Sequence, residues 1–211
     1  LSRSLQIHGH SIVAAHAISE KSQKRVQEFL PATDLVSIEK LIESVSAVTP
    51  LKYSLLRYFN AAGADMEGET GETHDPETHI IPLALKAALT GTLFTVFGGD
   101  FKTKDGSAVR DYIHVLDLAQ AHIKVIDYLE YNPGFYVFNL GTAQGISNKQ
   151  IADYVGEKYG FKFLNYGNKR PGDPAILIAD SSKAKRDLDW EPEHSDIGTI
   201  IDSAYQWYTK Y

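Results

Sequence analysis

Short strand-like runs alternating with amphipathic helices predict an α/β fold for this sequence. Three observations carry the prediction. Val36, Ile38, Leu41, Ile42 and Val45 recur at near-helical spacing, which marks an amphipathic helix. Leu51–Phe59 (LKYSLLRYF) follows as a mostly apolar run, the pattern of a parallel strand covered on both faces. Phe135–Leu140 reads as another strand, and Ser147-Asn148-Lys149-Gln150 then opens a helix with a capping box.

The elements can be justified in order. Pro50 ends the first helix. The Leu51–Phe59 strand opens through Asn60-Ala61-Ala62-Gly63 into a loop, rich in Gly, Glu, Thr and His, that runs to His79. A helix is predicted over Ile80–Leu89, with Pro82 tolerable in its first turn and Gly91 as its stop. Leu93–Phe97 is a short strand, Gly98-Gly99-Asp100 turns, and a loop continues to Arg110-Asp111. Val115, Leu118, Ala119, His122, Val125, Ile126 and Leu129 form the stripe of the next helix. Ile146 and Ile151 flank the capping box as a hydrophobic staple would. Ile176–Ala179 is a last short strand, and Ile197–Trp207 a closing helix. Residues 1–35 show little clean periodicity, so the chain is divided into an N-terminal segment, 1–35, and an ordered part, 36–211.

Composition narrows the function. The chain has 211 residues, 43% of them hydrophobic, enough for one core or a core with a small lobe. A net charge of -6 argues against a nucleic-acid partner, which calls for a basic surface. No apolar run approaches the roughly 20 residues of a membrane helix, so no membrane partner is expected. The absence of Cys excludes disulfides, thiol catalysis and Cys-ligated zinc, and fits a reducing, cytoplasmic compartment. The opening on Leu1 rather than Met is the start expected of a fragment or processed chain. His8 and His10 alternate, and His74 and His79 stand near acids. Spacing gives neither pair a third ligand, so no metal site is expected.

Four stretches carry a resemblance. They are Arg57-Tyr58-Phe59-Asn60 with GETHDPETHIIP (71–82), Phe97-Gly98 leading to DGSAVRDYIHVLDLAQAH (105–122), FNLGTAQGIS (138–147), and KRPGDPAILIADSSKAK (169–185). In this order they resemble the UDP-glucose 4-epimerases of the extended short-chain dehydrogenase/reductase group, over 36–211. The resemblance implies a partial Rossmann-like sheet plus the smaller C-terminal substrate lobe, and interconversion of UDP-glucose and UDP-galactose in galactose metabolism. It also implies NAD as cofactor, a UDP-sugar as small-molecule partner and a homodimer. The rivals are another nucleotide-sugar enzyme of the group, a dehydratase or decarboxylase, and a non-catalytic UDP-sugar-binding fragment.

A nucleoside diphosphate calls for cations with fork geometry, which Arg supplies and Lys does not. The resemblance assigns that task to Arg110 and Arg170, each otherwise a surface arginine in a salt bridge. It implies Asp173 for the ribose hydroxyls, Asn60 for the sugar phosphate, and His79 with Ile80 for the uridine at a helix start. Thr95 and Phe97 resemble the strand on which uracil packs, and Phe59 a residue on the nicotinamide side of NAD. Phe97 serves equally as core, and with the rest of the NAD site missing Phe59 reads better as a buried strand aromatic. Leu177, four residues after Asp173, resembles the position whose bulk decides sugar selectivity. Strand alternation places it opposite Ile176 and Ile178, and its size predicts UDP-glucose over UDP-GlcNAc.

The family chemistry uses a Tyr-x-x-x-Lys helix and a glycine-rich phosphate loop. Aligned back from Arg57, the Tyr and Lys positions fall on Pro31 and Leu35, and no Tyr precedes Tyr53. No G-x-G-x-x-G occurs. The one Tyr-x-x-x-Lys, Tyr154 with Lys158, lies in the capping-box helix and reads as core plus a snorkelling lysine. No catalytic residue is therefore assigned, tight NAD binding is not expected, and the chain is expected to be truncated and inactive alone.

Overall fold

The computed structural model describes residues 6–7, 10–11, 35–50 and 52–210. The N-terminal segment 1–35 thus lies almost wholly outside the described residues, as do His8 and Pro31. Two dipeptides, β1 (Gln6–Ile7) and β2 (His10–Ser11), pair antiparallel.

Helix α1 (Leu35–Val48) leads into β3 (Tyr53–Tyr58), which pairs in parallel register with β8 (Phe135–Leu140) from Tyr53 opposite Phe135 to Tyr58 opposite Leu140. Apolar content correctly predicts a parallel strand here. The strand is half-buried rather than buried, because β8 is its one partner among the described strands. Helix α3 (Val115–Tyr131) and the short helix α5 (Ser182–Leu188) pack on this pair. Leu118, Ala121, Val125, Phe138, Leu140, Ala184, Leu188 and Trp190 form the resulting core. The α3 stripe turns out to be centred on Ala121, with Ala119 facing solvent.

A second core lies between α2 (Ile80–Thr90), α4 (Asn148–Tyr159) and α6 (Ile197–Lys210). Leu85, Ile151, Val155, Ile200 and Ile201 are fully enclosed there, together with Val96 from β5 (Leu93–Phe97). Strand β5 pairs in parallel with β10 (Phe163–Gly167). The sequence predicts no element over 163–167, whose residues alternate no polarity and are nearly all exposed.

Short strands join the two cores. β4 (Asn60–Ala62) pairs in parallel with β7 (Tyr112–His114). β6 (Val109–Arg110) lies between β9 (Ile146–Ser147) and β11 (Ile176–Leu177). Two- and three-residue strands leave no periodicity to read, so the sequence shows β4, β6 and β7 only as loops.

The capping box forms as predicted. Ser147 Oγ accepts the Gln150 amide at 3.1 Å, and Gln150 Oε1 accepts the Ser147 amide at 2.8 Å. Ser147 Oγ also donates to Asp105, tying the start of α4 to the 98–107 loop. Ser147→Ala is expected to cost about 1–2 kcal/mol, read as a lower midpoint in urea unfolding.

Candidate functional site

A cavity of about 530 Å³ opens against the second core, whose Ile81, Tyr112 and Ala204 line it. One wall is β4 with Gly63 and Ala64. A second is the 70–73 and 78–82 stretch at the start of α2, and a third comes from Ala204, Trp207 and Tyr208 of α6. Arg110, Asn148, Arg170 and Asp173 complete it.

Six of the residues singled out from sequence meet here: Asn60, His79, Ile80, Arg110, Arg170 and Asp173. Arg110 is held for polar work. Its guanidinium gives one hydrogen bond to the Val109 carbonyl (2.8 Å) and another to the Asp173 carboxylate (3.1 Å). Only 12% of its side chain is exposed. Arg170 is exposed and rests over the Phe97 ring, 4.8 Å from its centroid. His79 ends the approach to α2 in extended backbone, and its side chain makes no capping bond. The free amides of Ile80 and Ile81 at the α2 start therefore stand at the cavity wall with nothing from His79 competing for them, Pro82 having no N–H to offer.

Four predicted residues do not line the cavity. Phe97 and Thr95 stand beyond Arg170 on β5, and Phe59 is half-buried at the break between β3 and β4. Leu177 is the clearest departure. Ile176, Leu177 and Ile178 are 54%, 47% and 39% exposed, so alternation sorts them into no inner and outer face. The reason is that β11 is a two-residue edge strand whose contribution is its backbone: the Asp111 amide bonds the Leu177 carbonyl at 3.2 Å.

Sequence reading misses Tyr112, Asn148, Trp207 and Tyr208 as lining residues, and it misses what positions the wall. Asp111, next to Arg110, is fully buried. One carboxylate oxygen accepts Thr142 N (2.9 Å) and Thr142 Oγ1 (2.7 Å); the other accepts Ala143 N (3.0 Å) and Ala179 N (3.1 Å). Its backbone carbonyl accepts both Asn60 N (3.0 Å) and Asn60 Nδ2 (2.7 Å). A Cβ at Gly141 would sit 2.7 Å from that carboxylate and 2.5 Å from Ala179 Cβ, so the close approach requires glycine. The run of small residues at 141–143 is the one signal in the sequence.

On the other side, Trp207 Nε1 donates to the Glu72 carbonyl (2.9 Å), and the ring lies so close to Gly71 that a Cβ there would overlap it at 2.3 Å. Buried His114 holds the Gly63–Ala64 wall. Its Nδ1 accepts the Leu116 amide (3.1 Å), so the proton lies on Nε2, which donates to Ser203 Oγ (3.1 Å). Ser203 Oγ also accepts the Ala64 amide (3.1 Å) and donates to the Ile200 carbonyl (3.0 Å). Burial holds the His114 pKa below its usual 6.5; Asp117 and Asp196 oppose this, and His194 adds to it.

The unfolded chain then takes up this proton at a higher pH than the folded one. Stability contributed by neutral His114 is present above pH 6.5 and is lost as pH falls toward the folded pKa. Urea midpoints measured from pH 7.5 down to 5 are expected to fall more steeply for the wild type than for His114→Gln.

Tyr154 and Lys158 are engaged elsewhere. Lys158 donates to Tyr154 Oη (3.2 Å), Tyr154 Oη to Asp202 (3.1 Å), and Tyr159 Oη to the same carboxylate (2.7 Å), away from the cavity. The spacing of His74 and His79 supplies no third ligand, whereas the fold brings Glu77 beside both.

Comparison with known proteins places this geometry. The model of the "NAD dependent epimerase/dehydratase family" matches residues 34–141. UDP-glucose 4-epimerase of Rhizobium meliloti (strain 1021) is 45% identical over 175 residues, 82% of this chain and 53% of that protein. The Lactobacillus helveticus UDP-glucose 4-epimerase is 43% identical over 176 residues, again 82% of this chain and 53% of its own. A solved UDP-glucose-4-epimerase from Stenotrophomonas maltophila, with bound NAD and formylated UDP-arabinopyranose, aligns at a TM-score of 0.78 and 32% identity, over 83% of this chain and 53% of that one. The chain spans about half the length of the curated relatives it matches. The fold is accordingly α/β with a Rossmann-like parallel component, and no helix among the described residues is long and apolar enough to cross a membrane. With the family match running from α1 to the end of β8 and taking in the cavity residues from Asn60 to Val115, this chain belongs to the NAD dependent epimerase/dehydratase family.

Proposed function

We propose that these residues form the UDP-sugar-binding part of a UDP-glucose 4-epimerase, and that the 211-residue chain by itself binds the nucleotide without turning the sugar over. The observation that carries this is the convergence of Arg110, Arg170 and Asp173 on one cavity beside the α2 amides. Arg110 and Arg170 grip the diphosphate as two forks. Asp173, now paired with Arg110, accepts from the ribose hydroxyls when the phosphates take over that arginine. Asn60 reaches the sugar phosphate, and the α2 amides with Ile80 meet the uracil. Arg170 over Phe97 marks the place where a base stacks once the arginine swings to phosphate.

NAD is the hydride carrier of the family, and the residues present do not fit it. No strand here is followed by a G-x-G-x-x-G turn, and the only Tyr-x-x-x-Lys pair is tied to Asp202 outside the cavity. The chain is therefore proposed to lack tight NAD binding, and stoichiometric NAD co-purifying with it overturns that part of the reading.

The binding part is tested by calorimetry with UDP. Truncating a desolvated charge that holds a ligand typically costs about 2–5 kcal/mol, so Arg110→Ala is expected to weaken UDP by about 30-fold or more. The exposed Arg170→Ala should cost less. UDP should also perturb the fluorescence of Trp207 on the cavity wall, and Trp207→Phe should remove that signal. Equal UDP heats in wild type and both arginine variants reject the assignment. Tighter binding of UDP-glucuronate or of a non-uridine nucleotide sugar favours the decarboxylase or dehydratase relatives instead.

A further inference from the structure

We propose that His74, Glu77 and His79 form a binding site for a borderline transition-metal dication of the zinc type, at the rim of the cavity. Their ligand atoms all lie within 4.8 Å of one another. The two imidazole rings face each other at a tilt, 5.4 Å between centroids. That spacing leaves room for one ion between the two nitrogens, each about 2.0–2.1 Å from it.

A second observation points to a ligand. His74 Nδ1 is buried and has no hydrogen-bond partner. A buried nitrogen without a partner costs free energy that a metal bond, or a proton donor, would recover.

The third ligand is held in advance. Glu77 is 12% exposed, and its Oε1 accepts the Thr78 and His79 amides, each at 2.7 Å. These bonds fix the carboxylate through Oε1 and leave Oε2 to face the ion. His79 Nδ1 lies 2.9 Å from the same Oε1, a contact through which the carboxylate can orient the ring when Nε2 binds the ion. The His79 ring is 58% exposed and has no capping duty at α2, so it can turn toward His74 at small cost, and water can fill the open positions.

The donor set selects the ion. Two imidazoles with one carboxylate suit zinc, copper or nickel, whereas magnesium and calcium require oxygen ligands. Residues 68–85 contain no Lys or Arg, so no neighbouring cation in the sequence opposes a dication. The site adjoins the nucleotide cavity and shares His79 with it, while His74 and Glu77 lie outside that lining.

The test is titration of the 211-residue chain with zinc alone, followed by calorimetry, and with cobalt(II), followed by its visible absorption. One strong equivalent is expected, with nitrogen–oxygen ligand bands for cobalt and no comparable heat with magnesium. His74→Ala, His79→Ala and Glu77→Gln should each weaken zinc by at least about tenfold, the lower end of the loss seen when a group that merely orients a ligand is removed. His79 is at the surface, so its variant folds whatever happens at the other two, and circular dichroism checks the remainder. Zinc affinity unchanged in His79→Ala and His74→Ala overturns the proposal. So does affinity that is lost instead in His8→Ala/His10→Ala.

Discussion

Asp111→Ala is expected to destabilise the protein by about 3 kcal/mol or more and to disorganise the cavity at the same time. The variant removes the acceptor of the buried Ala179 amide and of the part-buried amides at Thr142 and Ala143, and a buried group left so costs about 1–3 kcal/mol. It also empties the space that Gly141 was shaped to meet. Part of the loss will be recovered by water entering that space, which is why the sum of the three is not reached. Asp111→Asn tests the argument more sharply. It keeps the volume and one acceptor oxygen but turns a donor toward amides that already donate, so it should be nearly as damaging. Urea unfolding gives the stability. The functional arm is UDP calorimetry on the folded fraction, because the Asp111 carbonyl anchors Asn60 and the residue adjoins Arg110 in the chain. A variant that loses stability yet binds UDP unchanged shows that Asp111 supports the fold alone.

Trp190→Ala is expected to cost about 3–5 kcal/mol, the range for removing a large aromatic from a closed core. Trp190 is 0% exposed and packs among Ala121, Phe138, Leu140, Ala184 and Leu188, at the junction of α3, α5 and β8. Its indole N–H donates to the Asp117 carbonyl at 3.0 Å. Just beyond it, the Asp117 carboxylate accepts the amides of Glu193 (2.9 Å) and His194 (3.0 Å) and the hydroxyl of Ser195. Burial alone would raise the Asp117 pKa, but the bonds from Ser195, His194 and Glu193 outweigh it and hold it below the usual value. The indole thus closes the core and fixes the 190–195 turn to α3. Trp190→Phe fills most of the volume without the hydrogen bond and should recover more than half of the loss. Equal losses in the two variants would mean that the hydrogen bond, rather than the packing, dominates.

The sequence by itself determines the helices and the longer strands, because each is long enough to show its period. The 80–90 helix is bounded by Pro82 and the left-handed Gly91, and the capping box at Ser147 matches its observed geometry bond for bond. It also determines which chemistry is on offer. Arginines in loops next to Gly/Pro turns are legible wherever they end up, and so is the absence of any Tyr before Tyr53.

The tertiary structure alone decides what those groups meet. Arg110 and Asp173 are 63 residues apart, and only the β6–β11 pairing brings them to 3.1 Å. Asp111 is one more acidic residue in a loop until three segments distant in sequence aim their amides at it. Leu177 stands four residues after Asp173 on an edge strand that leaves it 47% exposed among the described residues, so counting residues cannot place its side chain. Glu77 becomes a partner for His74 and His79 through backbone turns at 72–79 that carry no periodic signal. In each case the deciding interaction is long-range or irregular, and its energy comes from burial and hydrogen-bond satisfaction that local sequence does not encode.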